Sequence, residues 1–191
     1  MKKTKALAKG ELLPLREATP TTLLERAVSS GASIEVLERL MALQERWEAN
    51  QARKAFDAAM AAIRSELPAI CKDQTVDYTS ARGHTNYRYE SLHAVTEALS
   101  PVMARHGLSF RWRTNTEEPD TVSVTCILSH AGGHSEEVTL VAKHDHSGSK
   151  NDIQALGSAV TYLQRYTLKA ALGVAAAADD DGNGAGARHE E

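Results

Sequence analysis

What this chain lacks narrows the field first. Its two cysteines, Cys71 and Cys126, form no CxxC pair, so two reduced thiols are expected rather than a zinc site or a disulfide framework. No apolar run approaches the roughly 20 residues of a membrane-spanning helix. The lysine-rich start (Lys2, Lys3, Lys5, Lys9) has no apolar segment of the secretory kind. The expectation is a soluble, cytoplasmic protein with no membrane partner. There is no P-loop, no Gly-rich dinucleotide fingerprint and no nucleophile elbow, which argues against ATP-driven chemistry. Internal repeats are not visible. Nor is positive charge in excess: 22 Lys and Arg against 25 Asp and Glu give a net charge of −3, unlike a generic nucleic-acid binder. That charge is unevenly spread, so a basic strip can exist locally between a basic start and an acidic end carrying Asp179, Asp180 and Asp181.

What is present reads as four stretches. Residues 1–19 are polar and read as a flexible basic arm. Residues 20–67 read as a helical segment: a short helix ended by Gly31, then a stretch from Glu35 to Leu67 without proline or glycine. Its first half carries an apolar stripe of Val36, Leu37, Leu40, Met41, Leu43 and Trp47, and its second half one of Ala52, Ala55, Phe56, Ala59, Met60, Ile63 and Leu67. That is long for one helix in a small domain. Packing of part of it on a neighbouring subunit and a hairpin broken near Asn50 both fit.

Residues 68–174 read as an α+β core. Short extended segments (69–72, Val76–Tyr78, Tyr87–Tyr89) precede a helix capped by Ser91, expected to kink or restart at Pro101 and to stop at Gly107. Three near-alternating strands follow, over Leu108–Arg113, Val122–Leu128 and Val138–Ala142, the last two joined by a turn at Ala131–Gly133. Alternation places Arg111 and Arg113 on one strand face. Residues 175–191 read as an acidic, disordered tail.

The most informative stretch is 151–183. Asn151 and Asp152 suit a helix start and Gly173 a helix stop. At helical spacing Ile153, Leu156, Val160, Leu163 and Ala171 share one face, while Ser158, Tyr162, Arg165, Tyr166 and Lys169 share the opposite one. Rings alternating with cations suit stacked bases and phosphates. They equally suit a subunit interface, and the spacing does not decide between the two. Gly157 in mid-helix suggests close packing against another backbone. A second candidate contact is the loop holding Arg82, Gly83 and His84 beside Tyr87, Arg88 and Tyr89, for which a plain surface hairpin is the alternative. The loop 144–150, flanked by Lys143 and Lys150, precedes a helix N-terminus and suits phosphate. His130, His134, His144, Asp145 and His146 match no zinc spacing.

The run GSAVTYLQRYTLKAALGV followed by DDDGN resembles the signature of the Erf (essential recombination function) family of single-strand annealing proteins, found largely in phages and prophages. Three upstream stretches resemble it too: ARKAFDAAMAAIRSELPAICKD, YRYESLHAVTEALSPVMARHGLSF and VTCILSHAGGHSEEVTL. The resemblance lands on Tyr87, Tyr89, Gly157, Ser158, Tyr162, Arg165 and Tyr166 as motif positions. It implies a twisted antiparallel sheet with helices on one side, similar to the eukaryotic strand-annealing rings. It also implies an oligomeric ring or filament that holds single-stranded DNA in a basic groove and anneals complementary strands in a bacterial host cell. A phage exonuclease or a host single-strand binding protein is the partner class implied. No catalytic residue or cofactor is expected, with Mg2+ at most a counterion.

The residues expected at DNA are Arg82, Tyr87, Arg88, Arg111, Arg113, Lys143, Lys150, Arg165 and Lys169. Two other classes stay open: an oligomeric scaffold that binds no DNA, and a metal-dependent nuclease built on the histidine loop and Asp179–Asp181.

Overall fold

The computed structural model describes residues 19–80, 83–118, 120–145 and 150–174. Arg82, His146, all but the last residue of the expected basic arm and the whole expected acidic tail lie outside them. The element order is α1 (Pro20–Ser29), α2 (Ile34–Arg64), β1 (Gln74–Ser80), β2 (Gly83–Tyr89), α3 (Leu92–Arg105), β3 (Leu108–Asn115), β4 (Thr121–His130), β5 (Ser135–Lys143) and α4 (Asp152–Leu172). This is the α+β arrangement expected, with the strands in two antiparallel sheets, β1-β2 and β3-β4-β5. Residues 69–72, expected to be extended, join no strand. The chain forms two compact units, Met1–Asn50 and Gln51–Glu191, with the border inside α2.

In the first unit the Thr19 hydroxyl caps α1 by accepting the Thr22 N–H at 3.3 Å, and Pro20 occupies the first turn, where its missing N–H costs nothing. The Thr21 hydroxyl donates to Gln44 Oε1 at 3.0 Å. α2 is one continuous helix of 31 residues, so the hairpin broken near Asn50 is not formed. No proline or glycine interrupts it. Among the described residues the apolar stripe of its first half buries no side chain fully: Leu37 and Leu40 are half-buried, Val36, Met41, Leu43 and Trp47 are exposed, and the neighbouring Ile34 is 72% exposed.

In the second unit Phe56, Ala59 and Ile63 of α2 repeat every three to four residues and are buried, as the stripe predicts. Ser91 caps α3 by accepting the Ala94 N–H at 3.1 Å. α3 runs through Pro101 as a single element and buries Val95, Leu99, Val102 and Met103. Gly107, at φ +68°, ends it in a conformation that a side chain would strain. β4 is the central strand. Its Val122, Val124, Cys126 and Leu128 point to one face, where Ala159, Leu163, Leu168 and Leu172 of α4 close the core. Trp112 touches both core clusters and donates its indole N–H to the Thr167 hydroxyl at 3.2 Å. Thr167 in turn donates to Leu163 O at 2.8 Å, so the buried hydroxyl is satisfied. Each large side chain sealed here contributes about 1.5–3 kcal/mol. Burial also pushes the Cys126 thiol up to about 11.

Candidate nucleic-acid interface

α4 is locked at both ends. Asn151 Oδ1 accepts the Gln154 N–H at 2.9 Å while Gln154 Oε1 accepts the Asn151 N–H at 3.1 Å, a reciprocal capping box. Gly173 closes the other end at φ +64°. The faces differ in part from those read by spacing. Leu163 is buried and Leu156, Val160 and Ala171 are half-buried, but Ile153 is 83% exposed, because it lies on the side of the helix opposite Ala155, which is fully buried. Gly157 is exposed, and a Cβ built on it meets nothing within 4 Å. The close backbone packing expected there is not formed among the described residues.

The hairpin β1-β2 supplies the other half of the surface. Its register pairs Gln74 with Tyr89, Val76 with Tyr87 and Tyr78 with Thr85. Directly paired residues share a face, and alternation then puts Tyr78, Tyr87 and Tyr89 together. The opposite face carries the polar set: Asn86 donates to Asp77 Oδ2 at 3.2 Å, and His84 lies 3.5 Å from Asp77.

The two halves meet at Arg165. Its guanidinium carbon lies 4.8 Å from the Tyr89 ring centroid, 5.5 Å from that of Tyr162 and 5.3 Å from that of Tyr166. Tyr162 and Tyr166, one helical turn apart, stack at 4.3 Å with a 28° interplanar angle. Lys169 Nζ sits 5.2 Å from the Tyr166 centroid, and Tyr87 and Tyr89 lie 6.2 Å apart. The chain has five tyrosines. Four of them thus form one cation-filled cluster, and the fifth, Tyr78, shares the hairpin face. Tyr78, Tyr87, Tyr162 and Tyr166 remain 55%, 54%, 50% and 37% exposed.

The charges of the cluster are turned inward. Arg165 and Lys169 are buried, at 8% exposure each. Arg165 Nη1 donates to Glu90 O at 2.9 Å, and Lys169 Nζ donates to the Glu90 carboxylate at 2.5 Å. Glu90 is buried as well. Burial works to raise its carboxyl pKa, but the hydrogen bond from Lys169, a backbone hydrogen bond and the two nearby cations outweigh it and hold the group below its ordinary value. Burial, then the hydrogen bond with Tyr166, raise the Tyr162 phenol. So the aromatic-cationic stripe read from the sequence exists. Its rings face solvent, whereas its two cations do not stand open to it.

The other expected contacts are scattered. Arg88 is exposed on the polar hairpin face and donates to Lys72 O at 2.6 Å. Arg111 and Arg113 share a face of β3, as alternation predicts, but it is the sheet face turned away from α4. There Arg111 donates to the Ser129 hydroxyl at 3.2 Å and Arg113 pairs with Glu137 at 2.8 Å. Lys143 ends β5 on that same face, opposite Thr121. Lys150 is half-buried and donates to Asp145 and, at 3.2 Å, to the Ser158 hydroxyl. It braces the start of α4. Tyr87, Tyr89, Tyr162, Arg165, Tyr166 and Lys169 are therefore brought together, and Arg88, Arg111, Arg113, Lys143 and Lys150 are not.

The histidines are spread as well: the His130 ring nitrogen accepts the Gly132 N–H at 2.9 Å, His134 packs edge-on against Phe56, and His144 lies 3.7 Å from Asp120. Among the described residues no three His, Cys, Asp or Glu side chains gather as a metal site would need. Two residues of this surface escaped sequence reasoning. Tyr78 needed the hairpin register to be placed on the tyrosine face. Glu90 had no signal, since a glutamate before a helix cap is ordinary.

Among the described residues no helix is long and apolar enough to cross a membrane. The model of the ERF superfamily matches residues 56–191, a span that holds the C-terminal end of α2 from Phe56, both sheets, α3 and α4. No curated protein and no solved structure matches the chain.

Proposed function

The chain belongs to the ERF superfamily, and on that premise we propose that it binds single-stranded DNA and anneals complementary strands without ATP. Membership in the superfamily suggests a role in recombination and strand annealing. The observation that carries the finer reading is the tyrosine surface. Half-exposed rings from the hairpin and α4 lie on one continuous path around Arg165. Bare strands offer unpaired base faces, and duplexes do not. Stacking of one base on an aromatic side chain is worth about 1–3 kcal/mol and tolerates any base.

A base stacked by its face keeps its pairing edge free. Two strands held this way sample registers until enough pairs form to persist. No bond is made or broken, so the process needs no nucleophile, no general acid and no nucleotide hydrolysis.

A few rings per chain give modest affinity, so the reading includes a homo-oligomer in which repeated surfaces hold one strand by avidity. The exposed stripe of Val36, Met41, Leu43 and Trp47 supports association of copies, since such residues leave apolar surface to cover. A second reading makes the α4 face itself a subunit contact. Ile153, with four-fifths of its surface open, favours it for the first turns of the helix.

The test is fluorescence-quenching annealing of two complementary oligonucleotides. The full chain accelerates annealing with no nucleotide and no Mg2+ present. No acceleration, with no retention of single strands in filter binding, would leave the scaffold reading in its place.

A further inference from the structure

The geometry points to Glu90 as the positioning residue of the tyrosine surface, holding Arg165 and Lys169 beneath the rings so that a strand is gripped by its bases rather than by its phosphates. This rests on the single-strand reading above and deepens it. One residue supplies both anchors: its backbone carbonyl takes Arg165 and its carboxylate takes Lys169. It lies where β2 ends, directly after Tyr89, so the same contact fastens the hairpin's tyrosine face to α4.

Both cations are buried, at 8% exposure, and Lys169 already faces a carboxylate. A phosphate reaching them would have to displace that carboxylate and shed its water in a site built for one anion. The rings are placed the other way. Arg165 lies against Tyr89, Tyr162 and Tyr166, the last two stacked on each other, while about half of the surface of Tyr87 and of Tyr162 stays open. The ring surface left open on Tyr87 and Tyr162 is what a flat partner can meet. The ligand class that fits is the unpaired nucleobase, whatever its identity.

The experiment compares two fluorescent strands of equal length on the full chain, oligothymidylate and an abasic strand with the same phosphates, each titrated against salt. Wild-type protein holds oligothymidylate, and the abasic strand binds weaker by roughly tenfold for each stacked base lost. Equal binding of the two strands would overturn the inference while leaving the single-strand reading intact. If neither strand bound, the single-strand reading itself would fall.

Glu90→Gln frees Lys169. The preference for bases then shrinks by roughly tenfold, and the salt slope steepens by about 0.7, the value of one added contact to a single strand. A Glu90 that only held the fold together would weaken both strands alike and leave the ratio and slope unchanged, which overturns the assignment. Lys169→Met gives the complementary readout: an unaltered slope supports burial of that charge under the rings, and a slope shallower by about 0.7 makes it a phosphate contact. The wild-type comparison needs no variant, so it decides even where E90Q does not fold.

Discussion

Arg165 of α4 lies with its guanidinium carbon 4.8 Å from the Tyr89 ring centroid, tying the C-terminal turns of that helix to the hairpin. Charge alone does not make this contact, because the planar guanidinium also touches Tyr162 and Tyr166 and donates to Glu90 O. Arg165→Lys keeps the charge and loses the flat fork. It is expected to lower stability by about 1 kcal/mol or more and to weaken the near-ultraviolet tyrosine dichroism. An unchanged spectrum and melting point would show that the rings do not depend on Arg165.

The Glu90–Lys169 pair sets a pH dependence. Glu90 is held below its ordinary pKa of 4.5, so its contribution is fully present above that pH and is lost as pH falls through the lower folded value. Breaking a buried pair from one side costs about 3–5 kcal/mol. Glu90→Gln is therefore expected to be much less stable than wild type at neutral pH, with the gap narrowing under acid. Urea denaturation at neutral pH and below pH 4 checks this. A gap independent of pH would contradict it.

Asp73 clamps the base of the hairpin. Its carboxylate accepts the Ser91 N–H at 2.6 Å and the Ser91 hydroxyl at 2.7 Å, and these bonds hold it at about 2, against an ordinary 3.8. The clamp persists above the ordinary value and fails as pH drops from 3.8 towards about 2. Asp73→Asn is expected to speed amide exchange in β1 and β2 at neutral pH while leaving α3 and β4 protected. Uniform loss of protection would mean the clamp supports the whole unit.

Gly157 gives a sharp contrast between fold and assembly. A Cβ there meets nothing, so Gly157→Ala should stabilise the chain by about 0.5–1 kcal/mol. Leu168→Ala, in the sealed core, should cost about 2–5 kcal/mol. Thermal unfolding measures both. If Gly157→Ala instead dissolved an oligomer in sedimentation, the first turns of α4 would be a contact between copies.

The cysteines divide by reactivity. Cys71 is exposed, while Cys126 is buried with its thiol at about 11. Alkylation at neutral pH should label one thiol per folded chain and both after unfolding. Labelling of both in the native state would show that the β4 core opens.

Much of this was legible in the chain. Period and capping located the helices: Phe56, Ala59 and Ile63 mark one core face, and Asn151 with Asp152 marks the start of α4. Alternation found β3, β4 and β5. The stripe of Tyr162, Arg165, Tyr166 and Lys169 was visible as a pattern, but its chemistry was not. Spacing says which residues share a face and says nothing of a distant partner. Glu90 lies 79 residues from Lys169, and no spacing pattern announces that its carboxylate pairs with that lysine. Gly157 packs against no other backbone among the described residues, and a helical glycine does not by itself say what, if anything, lies against it. Placing glutamate at Arg165 and Lys169 is a poor test of DNA contact. Three carboxylates would crowd one buried site, and loss of binding would follow from loss of fold.

The most direct measurement is equilibrium binding of oligothymidylate by Tyr87→Leu and Tyr162→Leu, singly and together, with circular dichroism to confirm the fold. The rings are half-exposed and leave the core intact. The account predicts a loss of about 1–3 kcal/mol in each single variant, at least additive in the double, with annealing falling in step. Undiminished affinity in the folded double variant would contradict it.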